Sequence, residues 1–164
     1  MDVQIIALRD DHWPAVREIY AEGIATGNAT FETVVPEWEK WDRAHHKHSR
    51  LIAQDGQRIL GWAAVSPVST RSVCSGVAEV SVYVAASARG RGWGKALLTS
   101  LIEQSEKQGI WTLQAGIFPE NVASVELHKS CGFREVGVRR RLGQLAGVWR
   151  DVLLLERRSP TLGV

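Results

Sequence analysis

A strand that leads into a glycine-rich turn and then a long amphipathic helix most constrains the fold of this chain. Residues 77–84 (VAEVSVYV) have the pattern of an apolar strand, and residues 89–94 (RGRGWG) place three glycines soon after it. Glycines at a strand-to-helix junction let a ligand approach the backbone, and the first N–H groups of the helix favour an anion. In the helix that follows, helical spacing places Leu97, Leu98, Leu101, Ile102 and Ser105 on one stripe. This segment predicts an α/β chain with an anion-binding loop.

Length and charge narrow the class of protein. The 164 residues predict a single domain that spans positions 1–164. With 20 Lys and Arg against 18 Asp and Glu, the net charge of +2 argues against a dedicated nucleic-acid binder. The start has no signal-peptide pattern and no apolar run reaches about 20 residues, so we expect a cytoplasmic protein without a membrane span. Cys74 and Cys131 form neither a disulfide framework nor a metal-ligand spacing.

Hydrophobic periodicity predicts alternating strands and helices along the whole chain. Strand patterns cover residues 3–8, 50–54, 59–65, 77–84, 110–117, 133–140 and 148–156. Helical patterns run from the Asp10–Asp11 pair, expected as a cap, to Ile24, over residues 37–48, from the glycine turn to Gln108, and over residues 121–130. This order predicts an α/β fold with a mixed sheet flanked by helices.

The spacing of the glycines excludes two common phosphate motifs. A dinucleotide-binding G-x-G-x-x-G would need glycine at position 95, which is Lys95, and a P-loop would need glycine at position 89, which is Arg89. The pattern present is R-x-x-G-x-G over residues 89–94, with basic side chains at Arg89, Arg91 and Lys95. An ordinary tight turn with solvated basic residues is the alternative interpretation.

The strand before this loop has a polar face. Alternation places Glu79, Ser81 and Tyr83 together on one side of residues 77–84. A carboxylate, a hydroxyl and a phenol on the same face are typical of a catalytic or ligand-binding surface and not of a hydrophobic core.

The R-x-x-G-x-G pattern resembles the acetyl-CoA pyrophosphate loop of the GNAT N-acetyltransferases. A second signature of that superfamily is matched by Asn121, Ser124, His128, Gly132 and Phe133, with histidine at position 128 where many members have tyrosine. The runs NVASVELHKSCGF, VAEVSVYV and GVWRDV resemble the phosphinothricin/methionine sulfoximine N-acetyltransferase branch. Within it, ATGNATFET, SPVSTR, WTLQAGIFPEN and GVWRDVLLLER look closest to arsinothricin N-acetyltransferases.

The resemblance extends from about residue 5 to residue 157 and implies the fold and the reaction. It implies a mostly antiparallel central sheet, acetyl-CoA as co-substrate without a metal, a homodimer, and direct transfer to the α-amine of a small glutamate-like toxin. Contacts with acetyl-CoA are implied for Val82, Tyr83, Val84, Arg89, Gly90, Arg91, Gly92, Trp93, Gly94, Lys95, Asn121 and Ser124.

The resemblance also suggests catalytic roles. Glu79 matches the proposed general base, which acts through a water, although a salt-bridged strand carboxylate is the alternative. The backbone N–H groups of residues 82–84 match those that bind the acetyl carbonyl. His128 is either a proton donor or neighbour of the leaving sulfur, or a structural histidine. Tyr83 is either a wall of the cleft or an acid.

The acceptor side is less defined by the sequence. A glutamate-like phosphinate or arsinate presents two acidic groups, so a basic residue is expected, and Arg71 in the loop before the polar strand is the candidate; a solvated arginine is the alternative. Phe31 and Trp62 could be cleft walls or core residues. A GNAT enzyme for peptide amines and a non-catalytic acetyl-CoA sensor both remain open.

Several conspicuous residues are assigned structural roles. The run Arg139–Arg141 is expected to be solvated or at a dimer rim, and the histidines at 45, 46 and 48 are expected on a helix surface. Of the seven tryptophans, Trp13 and Trp111 are expected in the core. Trp38, Trp41 and Trp62 are candidates for the flank of the acceptor cleft, with the core as the alternative for Trp62, and Trp149 is a candidate for a position near a dimer contact or the acceptor.

Overall fold

The computed structural model describes residues 2–164, which form a seven-stranded sheet, four α-helices and three short 3-10 turns. The elements are β1 (Val3–Ala7), α1 (Trp13–Ala25), α2 (Trp38–Ala44), β2 (Arg50–Asp55), β3 (Arg58–Pro67), β4 (Val77–Val84), α3 (Trp93–Lys107), β5 (Thr112–Ile117), α4 (Val122–Ser130), β6 (Arg134–Leu145) and β7 (Val148–Arg158). Every strand and helix predicted from periodicity is present, so the predicted α/β class is confirmed.

The sheet has the strand order β1-β2-β3-β4-β5-β7-β6. Its neighbours pair antiparallel except for β4 and β5, which are parallel because the chain crosses over through α3 between them. The parallel pairing extends only from Val77↔Thr112 to Glu79↔Gln114. Beyond that point the two strands separate, which leaves a fork in the middle of the sheet.

The apolar stripe of α3 packs against one face of this sheet. Leu97, Leu98 and Leu101 are completely inaccessible to solvent, and Ser105 on the same stripe is buried with its hydroxyl donating to the Ile102 carbonyl at 3.0 Å. The stripe expected from the sequence is therefore the buried face of the helix. No helix within residues 2–164 combines the length and apolar character needed to span a membrane.

The start of α1 differs from the prediction. Asp10 and Asp11 lie in a 3-10 turn, and His12 precedes the helix without a side-chain capping bond. The predicted aspartate cap is wrong because Pro14, which favours the first turn of a helix, sets the start at Trp13.

The second helix ends at Ala44, four residues earlier than expected. The guanidinium of Arg50 lies at its C-terminal end, where it donates to the Asp42 carboxylate at 2.7 Å and to the His46 carbonyl at 2.8 Å. It also lies over the ring of Trp41, 5.0 Å from the ring centroid. His45 has extended backbone angles and the chain from there to Ser49 is irregular, so the expectation that residues 45, 46 and 48 lie on a helix surface is wrong.

Three of the seven tryptophans are buried in the core, namely Trp13, Trp41 and Trp62, whereas Trp111, also expected there, is only partly buried. Trp41 and Trp62 are each 1% exposed, and their rings meet edge to face at 5.6 Å. Trp13 packs against Trp41 with the centroids 5.6 Å apart. The expectation that Trp41 and Trp62 flank a cleft is therefore wrong for these two residues, and the alternative core position of Trp62 is the one observed.

The strand β6 forms an edge of the sheet and leaves apolar side chains in solvent. Together with the adjacent start of β7 it exposes Val136, Val138, Leu142, Val148 and Trp149. We call this surface the hairpin edge.

Candidate active site

The fork between β4 and β5 opens into a cleft of about 890 Å³. We call residues 80–95 and 121–128 the glycine-loop half of this cleft, and residues 26–32 and 139–154 its hairpin half. Glu79 and Gln114, the last paired residues of β4 and β5, lie where the halves meet. Almost all of the residues predicted for the site line this cleft: Phe31, Glu79, Val82, Tyr83, Val84, Arg89, Gly90, Gly92, Trp93, Gly94, Lys95, Asn121, Ser124 and His128.

The glycine loop leaves its backbone open. Gly90 and Gly92 have φ angles of +77° and +86°, and a Cβ atom on either would meet nothing within 4 Å. Gly92 is the residue before α3, so the loop and the free N–H groups of the first helical turn face the same space. A Cβ on Gly94 would lie 3.2 Å from Leu127, which shows that α3 and α4 approach closely there. The arrangement suits a bound anion.

The basic side chains around this loop are not equivalent. Those of Arg89 and Lys95 line the cleft, and the Arg89 Nε donates to the Val84 carbonyl at 3.3 Å. The exposed side chain of Arg91 does not line the cleft. The predicted positive charge is therefore present, but only two of its three side chains reach the cleft.

Glu79 is half-buried and held by a neighbouring strand. The amide Nε2 of Gln114 donates to its carboxylate Oε1 at 3.1 Å. The bond follows from the register, since the two residues are partners at the last step of the parallel pairing. A fixed carboxylate at the mouth of a fork can accept a proton from a molecule bound between the strands.

The Tyr83 ring is packed as part of the wall of the cleft. Its ring stacks on Trp62 at 4.8 Å and lies 5.0 Å from Tyr20, and a Cβ on Gly23 would lie 2.6 Å from it. Burial raises the pKa of the Tyr83 phenol, which keeps the hydroxyl protonated. This packing favours the wall among the two interpretations of Tyr83.

His128 is buried on α4 with one nitrogen engaged. Its Nδ1 lies 2.7 Å from the Ser124 carbonyl, so that nitrogen carries the proton and Nε2 is free. Burial lowers the pKa of the imidazole, which favours the neutral form. A neutral ring with one free nitrogen can take up a proton and release it readily.

Asn121 connects the two halves. Its Oδ1 accepts the Ser124 N–H at 3.2 Å and so caps α4, while its Nδ2 donates to the Asn28 carbonyl at 3.2 Å. The side chain fixes both the start of α4 and the loop between α1 and α2. This structural role was not apparent from the sequence.

The hairpin half is assembled from distant segments. Phe31 meets Phe118 edge to face at 5.0 Å, and a Cβ on Gly143 would lie 3.0 Å from its ring. Arg150 of β7 holds the loop by donating to the Gly27 carbonyl at 2.8 Å and to Asn28 Oδ1 at 2.7 Å. Phe31 therefore lines the cleft instead of entering the core.

Arg71, the candidate for binding an acidic acceptor, does not reach the cleft within one chain. It is exposed and precedes a 3-10 turn, Ser72–Cys74, in the loop between β3 and β4. Sequence reasoning instead missed a group of lining residues: Thr26, Asn28, Ala29, Thr30, Glu32, Gln114, Arg139, Leu142, Val152 and Leu154. The loop between α1 and α2 supplies five of them, and strands β5, β6 and β7 supply the other five. Eight of the ten lie within the runs ATGNATFET, WTLQAGIFPEN and GVWRDVLLLER, which carry the resemblance but assign these residues no role.

A profile of the Acetyltransferase (GNAT) family matches residues 7–133. The chain belongs to the GNAT acetyltransferase family. It is 36% identical to the phosphinothricin N-acetyltransferase of Alcaligenes faecalis over 157 residues, which cover 92% of this chain and 79% of the relative. It is 32% identical to the L-methionine sulfoximine/L-methionine sulfone acetyltransferase of Pseudomonas aeruginosa, with 87% of each chain covered.

The fold agrees with the family. A GNAT superfamily phosphinothricin acetyltransferase from Sinorhizobium meliloti, solved in complex with AcCoA, superposes with a TM-score of 0.88 at 25% identity, covering 99% of this chain and 91% of that chain. The resemblance to GNAT enzymes and to their phosphinothricin/methionine sulfoximine branch, predicted from the motifs, is confirmed. The GNAT chain is accordingly an N-acetyltransferase with a mixed, mostly antiparallel sheet.

Proposed function

We propose that the chain is a single N-acetyltransferase domain that transfers the acetyl group of acetyl-CoA to the α-amine of a small glutamate-like toxin. The acceptor class comprises phosphinothricin, methionine sulfoximine and arsinothricin, and acetylation would confer resistance. The observation that carries this proposal is the position of Glu79. A carboxylate at the fork, facing a cleft that has an anion-binding loop on one side and an apolar wall on the other, suits transfer between two bound molecules.

The glycine-loop half fits the pyrophosphate of acetyl-CoA. The open backbone at Gly90 and Gly92, the first turn of α3 and the side chains of Arg89 and Lys95 would hold the phosphates. The edge of β4 from Val82 to Val84 has no strand opposite it on the β5 side among residues 2–164. The backbone groups that face this side would therefore be available to the pantetheine arm, although the Val84 carbonyl is already bonded by Arg89.

The residues supply each proton transfer that the reaction needs. Glu79 takes a proton from the acceptor ammonium, and the neutral amine then attacks the thioester carbonyl to form the C–N bond. Backbone N–H groups of residues 82–84 stabilise the oxyanion. The C–S bond breaks as the oxyanion collapses, and the nitrogen loses its second proton. The free Nε2 of His128 accepts this second proton and passes it to the CoA thiolate, which leaves as the thiol.

The contacts of Phe31 on the acceptor side favour a small acceptor over a peptide. Phe31 is in contact with Phe118 and lies directly above Gly143, so the loop between α1 and α2 covers the cleft from the side of the hairpin. A peptide substrate would need an open groove there. The non-catalytic sensor is disfavoured because a pure binder needs neither the fixed carboxylate of Glu79 nor the free Nε2 of His128.

The proposal is tested by following CoA thiol release and the mass of the product with an acceptor panel. The panel contains phosphinothricin, methionine sulfoximine, arsinothricin, glutamate and a peptide with a free N-terminus. We expect turnover of the first three and none of the peptide. Turnover of the peptide alone, or acetyl-CoA binding without any turnover, would overturn the proposal.

The role of Glu79 is tested in the same assay. Glu79→Gln should lower kcat by about 100-fold, since general-base catalysis contributes on this order, while the KM for acetyl-CoA stays the same. Glu32→Gln is the matched control, because Glu32 also lines the cleft but lies in the loop before α2. Equal effects of the two substitutions would remove the assigned role.

We also propose that the enzyme is a homodimer that buries the hairpin edge. Trp149 is 54% exposed and Val148 is 59% exposed, and both side chains lie beside other apolar residues of an edge strand. Exposed apolar patches of this kind mark interaction surfaces. Sedimentation of the enzyme and of Trp149→Glu would test this, with a monomeric wild-type enzyme as the contrary result.

A further inference from the structure

The cationic side chains of the cleft are unevenly placed. Within residues 2–164, three Arg or Lys side chains line it: Arg89, Lys95 and Arg139. The first two flank the glycine loop, where they would meet the phosphates of acetyl-CoA. Arg139 is the cation of the hairpin half, since its strand neighbour Val152 also lines the cleft.

An irregularity in β6 brings Arg139 to this position. Arg139 pairs with Val152 and Gly143 pairs with Arg150, so four steps along β6 oppose two steps along β7. The extra residues form a bulge in which Arg141 has a φ of +48°, a conformation that residues with a Cβ rarely adopt. The Asp151 carboxylate accepts the Arg141 N–H at 2.8 Å and holds the bulge in place. Bulges re-aim side chains in this way next to active sites.

The bulge separates the three consecutive arginines. Arg139 lines the cleft together with Leu142, whereas Arg140 and Arg141 do not. In the described part of the chain no carboxylate lies within 4.0 Å of the Arg139 guanidinium. Other arginines of the hairpin strands are engaged, for example Arg134 with Glu156 and Arg157 with Glu106. The donors of Arg139 are therefore available to a ligand.

We propose that Arg139 binds the charged acid group at the distal end of the acceptor and so determines the preference for acidic acceptors. The inference rests on the proposed function and deepens it. A guanidinium matches the two oxygens of a phosphinate or arsinate in a bidentate manner, whereas a sulfoximine carries no such negative charge. Arg139 then takes the role that the sequence suggested for Arg71.

The test compares two acceptors that differ in this charge. For Arg139→Met we expect the KM for phosphinothricin to rise about 10-fold, as loss of a charge-assisted bond predicts, with kcat within about twofold. The KM for methionine sulfoximine should change less than about threefold, and the KM for acetyl-CoA should stay the same. Arg140→Met and Arg71→Met are matched controls, since neither side chain lines the cleft, and neither should alter the ratio of the two KM values. Arg139→Lys should retain part of the preference.

The outcomes separate this inference from the proposed function. Turnover of both acceptors with the same KM ratio in wild type and Arg139→Met would overturn the role of Arg139 alone. A changed ratio in Arg71→Met but not in Arg139→Met would restore the residue suggested by the sequence. Absence of turnover with either acceptor in the wild-type enzyme would instead contradict the proposed function.

Discussion

The two halves of the cleft present different kinds of chemical group. The glycine-loop half presents backbone N–H groups to a ligand, because Gly90 and Gly92 have positive φ angles and no side chain between these groups and the cleft. The hairpin half offers side chains, among them Phe31, Leu142 and Arg139, which come from a loop and a bulged strand. The segments of the glycine-loop half, residues 80–95 and 121–128, lie within 50 residues of each other, and those of the hairpin half are more than 100 residues apart.

This difference corresponds to two kinds of substrate recognition, that of the common co-substrate and that of the acceptor. A backbone cradle recognises a phosphate whatever the neighbouring side chains are, so it suits a co-substrate common to a family. Side chains on a loop and a hairpin can be exchanged without altering the sheet, so they suit acceptors that differ between relatives. We therefore expect substitutions in the two halves to affect different kinetic constants.

Among substitutions that change a KM, the largest effect is expected at Gly92, in the glycine-loop half. Gly92→Val should raise the KM for acetyl-CoA by more than about 10-fold and leave the acceptor KM within twofold. At a φ of +86° a branched side chain costs about 1–2 kcal/mol, which the loop would relieve by leaving its cradle conformation. Steady-state kinetics with each substrate varied in turn measures both constants.

Gly56→Val is the matched control for this backbone effect. Gly56 has a φ of +61° in the turn between β2 and β3, where a Cβ would also meet nothing within 4 Å. It should lower the melting temperature without changing either KM. If the two glycine variants had the same kinetic constants, the cradle would not bind acetyl-CoA.

A smaller effect is expected at Gly143, in the hairpin half. A Cβ at this position would lie 3.0–3.1 Å from the ring of Phe31, so Gly143→Ala should displace the ring. We expect a rise of about 3-fold to 5-fold in the acceptor KM and no change for acetyl-CoA, in line with the cost of modest overpacking. Gly137→Ala, in the same strand but with nothing within 4 Å, is the control. A rise in the acetyl-CoA KM would show that the two halves are coupled.

The sequence predicts the glycine-loop half well because its determinants are local. The alternation of residues 77–84 and the stripe of α3 are short-range patterns, and the structure places both as expected. Helix ends were predicted less well. The end of α2 depends on the guanidinium of Arg50, which donates to the carbonyls of Asp42 and His46 in place of the N–H groups of a further helical turn.

The part of the hairpin half that β6 and β7 form could not be predicted because it depends on strand register. The bulge in β6 separates Arg139 from Arg140 and Arg141, although the three are consecutive and chemically identical. No local sequence pattern indicates which of the three arginines faces the cleft. Arg71 was singled out by its position before the polar strand, yet the 3-10 turn after it keeps it in solvent.

The smallest effect is expected when mild acid lowers the stability of the folded protein. It also distinguishes the two halves of the cleft, because only one of them contains a histidine. None of the five histidines lies in the hairpin half, whereas His128 is buried in the glycine-loop half. Burial lowers the pKa of His128 below the value of about 6.5 that it has in the unfolded chain, so the native state binds fewer protons there. Its contribution to stability is complete above pH 6.5 and is lost as the pH falls toward the lower folded pKa.

The melting temperature should fall by a few degrees between pH 7.5 and pH 5.5, at about 2–4 °C per kcal/mol. Calorimetry should find a shallower fall in His128→Gln, which keeps a side-chain donor for the Ser124 carbonyl, and an unchanged fall in Arg140→Met. The same slope in all three proteins would place the acid sensitivity elsewhere, with His45 as the next residue to test because burial lowers its pKa as well.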